Sequence, residues 1–222
     1  MTRVVLKLGG SVAADSLEAV RERHAAGDEV VVVHGAGPQI TAELEALGIP
    51  VRFVRGRRFT DPATLAVVRS SLVAVGAELS AALGPAAVHL VGDDIGLEAL
   101  PVAELGLVGE PIACPLPMVV ALLDAGRIPV VTPVAAGPLN INADEAATAI
   151  ASSVDADRVV FVSDVPGVYL EGAVVPLIHA DRASELIESG TFDGGIVPKL
   201  MAAVLAARSG LTVEIGETAV VA

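Results

Sequence analysis

The stretch Arg3-Val4-Val5-Leu6-Lys7-Leu8-Gly9-Gly10-Ser11 is a short apolar run that ends in a lysine, a glycine pair and a hydroxyl. Such a run, stopped by glycine, reads as a strand buried on both faces, the kind found in parallel sheets. Lys7 then stands near the strand's C-terminal end. That edge is where open α/β sheets bind ligands, so a charged side chain there has a target. Glycine allows close backbone approach, and N–H groups at a helix start suit phosphate.

The same strand signal recurs at residues 29–34, 87–91, 128–132, 158–163 and 212–215. Between these runs lie Ala-rich stretches with helical spacing at residues 16–26, 38–47, 62–83, 117–125, 143–154 and 198–209. Alternating strand and helix predict a layered α/β fold around a mainly parallel sheet. No repeat and no low-complexity linker divides the chain, so residues 1–222 are expected to form one domain with two lobes. Residues 47–61 break the alternation with two strand-like pieces around Arg55-Gly56. They are expected to form a hairpin that can act as a lid.

Composition removes several function classes. The 222 residues carry 14 Lys plus Arg against 27 Asp plus Glu, a net charge of −13. That field repels nucleic acid and anionic membranes. Aromatics make up 2% with no Trp, which leaves little for stacking bases. Cys114 is the only cysteine, so no intrachain disulfide can form and a reducing cytosol fits. Apolar runs break well before the about 18 residues of a membrane span, and residues 1–8 do not resemble a signal peptide. A cytoplasmic location is expected, with no nucleic-acid or membrane partner.

Four further motifs stand at strand ends or helix starts. His34-Gly35-Ala36-Gly37-Pro38-Gln39 places Pro at a first helical position and forms a backbone anion cradle. It is not a dinucleotide fingerprint, because Ile40 occupies the third glycine position and Arg57 and Arg58 stand where an acid belongs. His34 itself reads as a packed strand-end residue. In Asn140-Ile141-Asn142-Ala143-Asp144 the two asparagines share one face and Asp144 enters the next helix, more polar groups than a cap requires. Ser163-Asp164-Val165-Pro166-Gly167-Val168-Tyr169 is a strand end with a tight turn. Gly194-Gly195-Ile196-Val197-Pro198-Lys199 brings a second lysine to a helix start. P-loop, protein-kinase, zincin and α/β-hydrolase signatures are absent. His24, His34, His89 and His179 are too scattered to predict a metal site.

These blocks, in this order, resemble the amino-acid kinase family, and within it the kinases of N-acetylglutamate. The resemblance covers nearly the whole chain, through KLGGS, HGAGPQI, RRFTD, NINAD, SDVPGVY and GGIVPK. It implies an open, mainly parallel sheet sandwiched between helices in three layers. It also implies a lobe of about residues 1–138 for the amino acid and a dimer contact, and a lobe of about 139–222 for ATP. The implied activity is ATP-dependent phosphorylation of the γ-carboxylate of N-acetyl-L-glutamate, a step of arginine biosynthesis, with Mg²⁺ held mainly by phosphates and water.

Carried over residue by residue, the resemblance makes Lys7 and Lys199 stabilisers of the transferred phosphoryl group, with Asp144 holding both. Gly35, Ala36, Gly37, Arg58, Asn140 and Asn142 would grip the amino acid. Gly9, Gly10, Asp164, Val165, Pro166, Gly167, Val168, Tyr169, Gly194 and Gly195 would line the nucleotide site. Ala36 departs from the family's glycine, and a positive φ there would cost on the order of 1 kcal/mol.

The chemistry is consistent with these residue types. A carboxylate with an ordinary pKa near 4.3 is ionised at neutral pH and needs no general base. What opposes reaction is its repulsion from the γ-phosphate, roughly 4 kcal/mol at about 4 Å and an effective dielectric near 20. Lysines relieve that repulsion, since phosphoryl transfer is mostly positioning and charge stabilisation.

Two other readings compete. One is a kinase of glutamate or of aminoadipate on a carrier protein, docked by a basic patch of Arg52, Arg55, Arg57 and Arg58. The other is a non-catalytic sensor, which has no use for Lys7, Asp144 and Lys199 together. The helix at 62–83 carries Leu65, Val67, Val68, Leu72, Val73, Val75, Leu79 and Leu83, more apolar cover than one core-facing stripe needs. With the resemblance this predicts a homodimer, and one that L-arginine does not inhibit through an extra N-terminal helix.

Overall fold

The computed structural model describes residues 2–9, 14–54, 56–162, 166–192 and 194–222. The first half runs β1 (Arg3–Leu8), α1 (Ala14–Ala25), β2 (Glu29–His34), α2 (Gly37–Ala46), β3 (Phe53–Val54), β4 (Arg57–Arg58), α3 (Pro62–Leu83), β5 (Ala87–Val91), β6 (Ala99–Pro101) and β7 (Val108–Pro111). It continues through α4 (Pro117–Asp124), β8 (Ile128–Thr132), β9 (Val134–Ala135), β10 (Leu139–Ile141), α5 (Ala143–Ser153) and β11 (Arg158–Phe161). The last part holds β12 (Tyr169–Leu170), β13 (Ala173–Val174), β14 (Leu177–His179), α6 (Ala180–Glu188), α7 (Ile196–Arg208), β15 (Thr212–Ile215) and β16 (Thr218–Val221).

An eight-stranded sheet has the order β14-β16-β15-β11-β1-β2-β8-β5. Among the described residues its pairings are parallel except β15 with β16. Successive side chains of a strand face opposite sides. Accordingly Val5, Val31, Val33, Val131, Val159 and Phe161 pack with Ala146 and Ile150 of α5 and Leu200 and Ala203 of α7. Val4, Leu6, Val30, Val32, Val130 and Val160 pack with Leu44 of α2 and Val68, Leu72 and Leu79 of α3. Two cores on two faces make the three layers. Four short strands, β6-β7-β10-β9, form a second sheet beside the main one.

The expected hairpin is present. β3 and β4 pair antiparallel, Phe53 opposite Arg58 and Val54 opposite Arg57, and Gly56 takes φ 77° at the turn.

Helix α3 starts where Asp61 accepts a hydrogen bond from the Thr64 amide at 2.8 Å and Pro62 fills the first turn. Its length and composition alone would let it cross a membrane. Instead Leu65, Val67, Val68, Leu72, Val75, Leu79 and Leu83 are buried, and the helix packs on β5 and β8 as a core helix. Seven of the eight large apolar side chains are thus taken up by the chain's own core, and Val73 alone of them is half-buried. Its exposed side is mostly small, including Ala63, Ala66, Ser70, Ala74, Ala77, Ala81 and Ala82, with Glu78 the one charge on it.

Candidate active site

The central strand β1 lies between β11 and β2, where the strand order reverses. Lys7 shares the sheet face of Val5, toward α5. Its Nζ lies 2.8 Å from Asp144 Oδ1, and each residue is only 8% exposed. Asp144 is fixed by the start of α5: Asn142 Oδ1 accepts from the amides of Asp144 at 2.8 Å and Glu145 at 3.3 Å. The lysine approaches Oδ1 off the hydrogen-bonding direction, so that oxygen keeps an unfilled acceptor position. Stripping two charges of water costs several kcal/mol, so a buried pair is poor evidence of stabilisation and better evidence of a site.

Beside this pair opens a cavity of about 630 Å³. It is lined by Lys7, Gly35, Ala36, Gly37, Arg58, Asn140, Asn142 and Asp144, which brings every residue expected to grip the amino acid to one place. Arg58 is buried at 8% exposure. Its Nη2 donates to Thr41 Oγ1 at 2.8 Å and to the Gly37 carbonyl at 3.4 Å, and its guanidinium lies 4.7 Å from the centre of the Phe53 ring. Burial lowers its pKa from the ordinary range. Arg58 Nη1 has no partner among the described residues. An orphan donor on a buried guanidinium is costly, and a ligand carboxylate is the acceptor that matches it.

Asn140 Nδ2 donates to Thr60 Oγ1 at 3.0 Å, and that hydroxyl donates to the Arg58 carbonyl at 2.9 Å. Asn142 serves mainly as the cap of α5. Ala36 takes φ −147°, outside the left-handed region, so the strain anticipated for a methyl there does not arise. His34 is fully buried, as a packed strand-end residue should be. Its Nε2 lies 3.1 Å from Thr132 Oγ1, which lies 2.8 Å from His89 Nε2. Burial pushes the His34 pKa down to about 4.

The described residues among those expected at the nucleotide lie elsewhere. Gly10, Asp164 and Val165 are outside the described residues. Lys7 pairs in register with Phe161, so β11 ends beside the lysine, and the described chain resumes at Pro166. Thr218 Oγ1 ties down Val168, accepting from its amide at 2.8 Å and donating to the Val175 carbonyl at 2.7 Å. Pro166 and Gly167 lead into this tie, and Tyr169 is half exposed in β12. Gly194 takes φ 60° and Gly195 caps α7, which carries Lys199 in its first turn. Helix α7 packs beside α5 on the face that Lys7 occupies. Gly9, Lys199 and these turn residues do not line the 630 Å³ cavity. Among the described residues Asp144 pairs with Lys7 and not with Lys199, a departure from the expectation that it holds both.

Among the described residues no three His, Cys, Asp or Glu side chains cluster as metal ligands.

The sequence reading missed Thr41, Thr60 and Glu145. Thr41 stands one turn into α2 from Gly37, a spacing that places both toward Arg58. The basic patch does not form as expected. Arg58 turns inward, Arg57 pairs with Glu145 at 2.7 Å, and Arg55 is outside the described residues. Among the described residues of the patch only Arg52, stacked over Phe59, is exposed. Among the described residues the patch offers a carrier protein a single exposed arginine.

The chain matches the amino acid kinase family over residues 2–217. It is 41% identical over 223 residues to the acetylglutamate kinase of Geobacillus kaustophilus, across 94% of this chain and 86% of that one. The acetylglutamate kinase of Roseiflexus castenholzii is 39% identical over 223 residues, with 94% and 86% covered. The crystal structure of smu.665 from Streptococcus mutans has a TM-score of 0.87 at 28% identity, covering 99% of this chain and 98% of that one.

Proposed function

Because the chain belongs to the amino acid kinase family, we propose that it transfers the γ-phosphoryl group of ATP to the side-chain carboxylate of N-acetyl-L-glutamate. The names of its acetylglutamate kinase relatives support this reading. The observation that carries it is the cavity in which Arg58, with its unpartnered Nη1, stands across from the Lys7–Asp144 pair. One end offers an open guanidinium donor to a carboxylate, and the other offers a lysine ammonium held in place by Asp144.

In this reaction a carboxylate oxygen forms a bond to the γ-phosphorus while the bond to the ADP oxygen breaks, and ADP leaves with the electron pair. No proton moves. The protein's work is therefore to hold two anions together. Arg58, Asn140 and the backbone at Gly35, Ala36 and Gly37 orient the amino acid, and Asn142 holds the helix turn beside it. Lys7 offsets phosphoryl charge from β1 and Lys199 does so from α7. Asp144 fixes the Lys7 ammonium. Gly9, Gly10, residues 164–169 and Gly194-Gly195 form the nucleotide side. A cytoplasmic location accords with one unpaired cysteine, and a homodimer rests on the family resemblance.

The test measures ATP consumption with N-acetylglutamate, glutamate and aminoadipate side by side, and traps the acyl phosphate with hydroxylamine. Hydroxamate formed chiefly from N-acetylglutamate supports the proposal. Preference for either other substrate, or no turnover, overturns it.

A further inference from the structure

Both residues of strand β4 line the cavity, and their side chains leave the strand in opposite directions as neighbours in a strand must. Arg58 reaches the start of α2, at Gly37 and Thr41. Arg57 reaches the start of α5, donating from Nε at 3.1 Å and Nη2 at 2.7 Å to Glu145 Oε1. Both helices begin at the cavity, so two adjacent arginines join its two walls.

Glu145 follows Asp144 directly and shares its cap on Asn142. The Arg57 and Glu145 side chains are 25% and 22% exposed, so water screens the pair only in part. Glu110, at 3.9 Å from Arg57 Nη2, is 61% exposed and contributes less. Two-residue strands do not hold a hairpin in place by themselves. Thr60, just after β4, is held by backbone bonds to Leu105 and Leu107 and by Asn140 of β10, and the tie from Arg57 to Glu145 is what joins β4 itself to α5.

We propose that Arg57 and Glu145 are positioning residues that latch the hairpin to the first turn of α5, so that Arg58 and Asp144 are set in register by one contact. This rests on the kinase reading for its kinetic consequence, and the latch itself does not. Releasing it moves the carboxylate grip relative to Lys7 and Asp144. Displacements of that kind cost turnover as well as binding.

Arg57→Ala and Glu145→Gln are each expected to lower kcat and kcat/KM for N-acetylglutamate by roughly ten-fold or more, with KM for ATP nearly unchanged. The charge-swapped Arg57→Glu/Glu145→Arg protein is expected to recover most of the loss, which a generally damaged fold does not do. Glu110→Gln serves as the near-neutral control. Hydrogen exchange across β3 and β4 is read in parallel: faster exchange in Arg57→Ala than in wild type, with other strands unchanged, supports the latch even if wild type does not phosphorylate N-acetylglutamate. Wild-type kinetics in both single variants overturns the inference, as does unchanged hairpin exchange.

Discussion

Lys7 Nζ lies 2.8 Å from Asp144 Oδ1, joining the end of the central strand to the first turn of α5 inside the protein. The contact makes the two lysines of the proposed site unequal. Lys199 has no such partner among the described residues.

Lys7→Ala and Lys199→Ala are both expected to lower kcat by roughly 100-fold or more, since each removes a charge that offsets the transferred phosphoryl group. Their thermal behaviour should differ. Removing Lys7 leaves a buried carboxylate uncompensated, which costs about 3–5 kcal/mol, whereas Lys199→Ala should melt near wild type. The double variant Lys7→Ala/Asp144→Ala should regain much of the stability and none of the turnover. Kinetics and melting curves of all three check this. A Lys7→Ala protein with wild-type turnover removes that lysine from the mechanism.

Arg58→Lys is expected to raise KM for the amino acid several-fold while leaving KM for ATP nearly unchanged. The planar fork now spans Thr41, Gly37 and an open Nη1. A lysine ammonium cannot meet those directions together. A selective loss of ATP affinity would put Arg58 on the wrong side of the site.

How far the sequence reached depends on element length. Strands β1, β2, β5, β8 and β15 run over the residues their apolar pattern marks. Strands β6, β7, β9, β12, β13, β14 and β16 carry no such mark, and β10 shows only in the shared face of Asn140 and Asn142. At two to four residues each, they leave no room for alternation to show. Helix α6 also escaped, because Asp181, Arg182, Glu185 and Glu188 dominate it and Ala180, Ala183 and Leu186 alone are buried. In the site, Lys7 and Asp144 were legible from a strand end and a helix start. The different roles of Arg57 and Arg58 were not, because they follow from which way each points across one short strand.

His34 predicts an acid-dependent loss of stability. Unfolded, its imidazole takes a proton near pH 6.5, but burial in the fold lowers that to about 4. The contribution is complete above pH 6.5 and is lost as pH falls toward 4, because the unfolded chain binds a proton that the fold refuses. Each pH unit inside that window costs up to about 1.4 kcal/mol. His89, lowered by burial, acts in the same sense. Glu145 is raised by burial despite Arg57, and acts in the opposite one. Denaturant midpoints between pH 7.5 and 5, where most carboxylates stay ionised, should fall in wild type and change less in His34→Gln. Parallel curves for the two proteins would contradict the assignment.

Gly76 in α3 faces the same imidazoles and predicts an unusual response to alanine. A glycine inside an exposed helix is ordinarily improved by alanine, by about 1 kcal/mol. Here Gly76 is buried, and a Cβ built on it would lie 2.4 Å from His89 Nε2 and 2.8 Å from His34 Nε2. Both rings are held through Thr132, and His34 has no exposed surface into which to move. Overpacking a tight core costs typically about 1–3 kcal/mol, which outweighs the propensity gain. Gly76→Ala should therefore unfold at lower denaturant than wild type, with an unchanged m value. Ala77→Gly, one position along on the exposed side, should lose only the ordinary helix propensity. A Gly76→Ala protein more stable than wild type would show that the two histidines yield, and that the helix is not pinned to the sheet at this point.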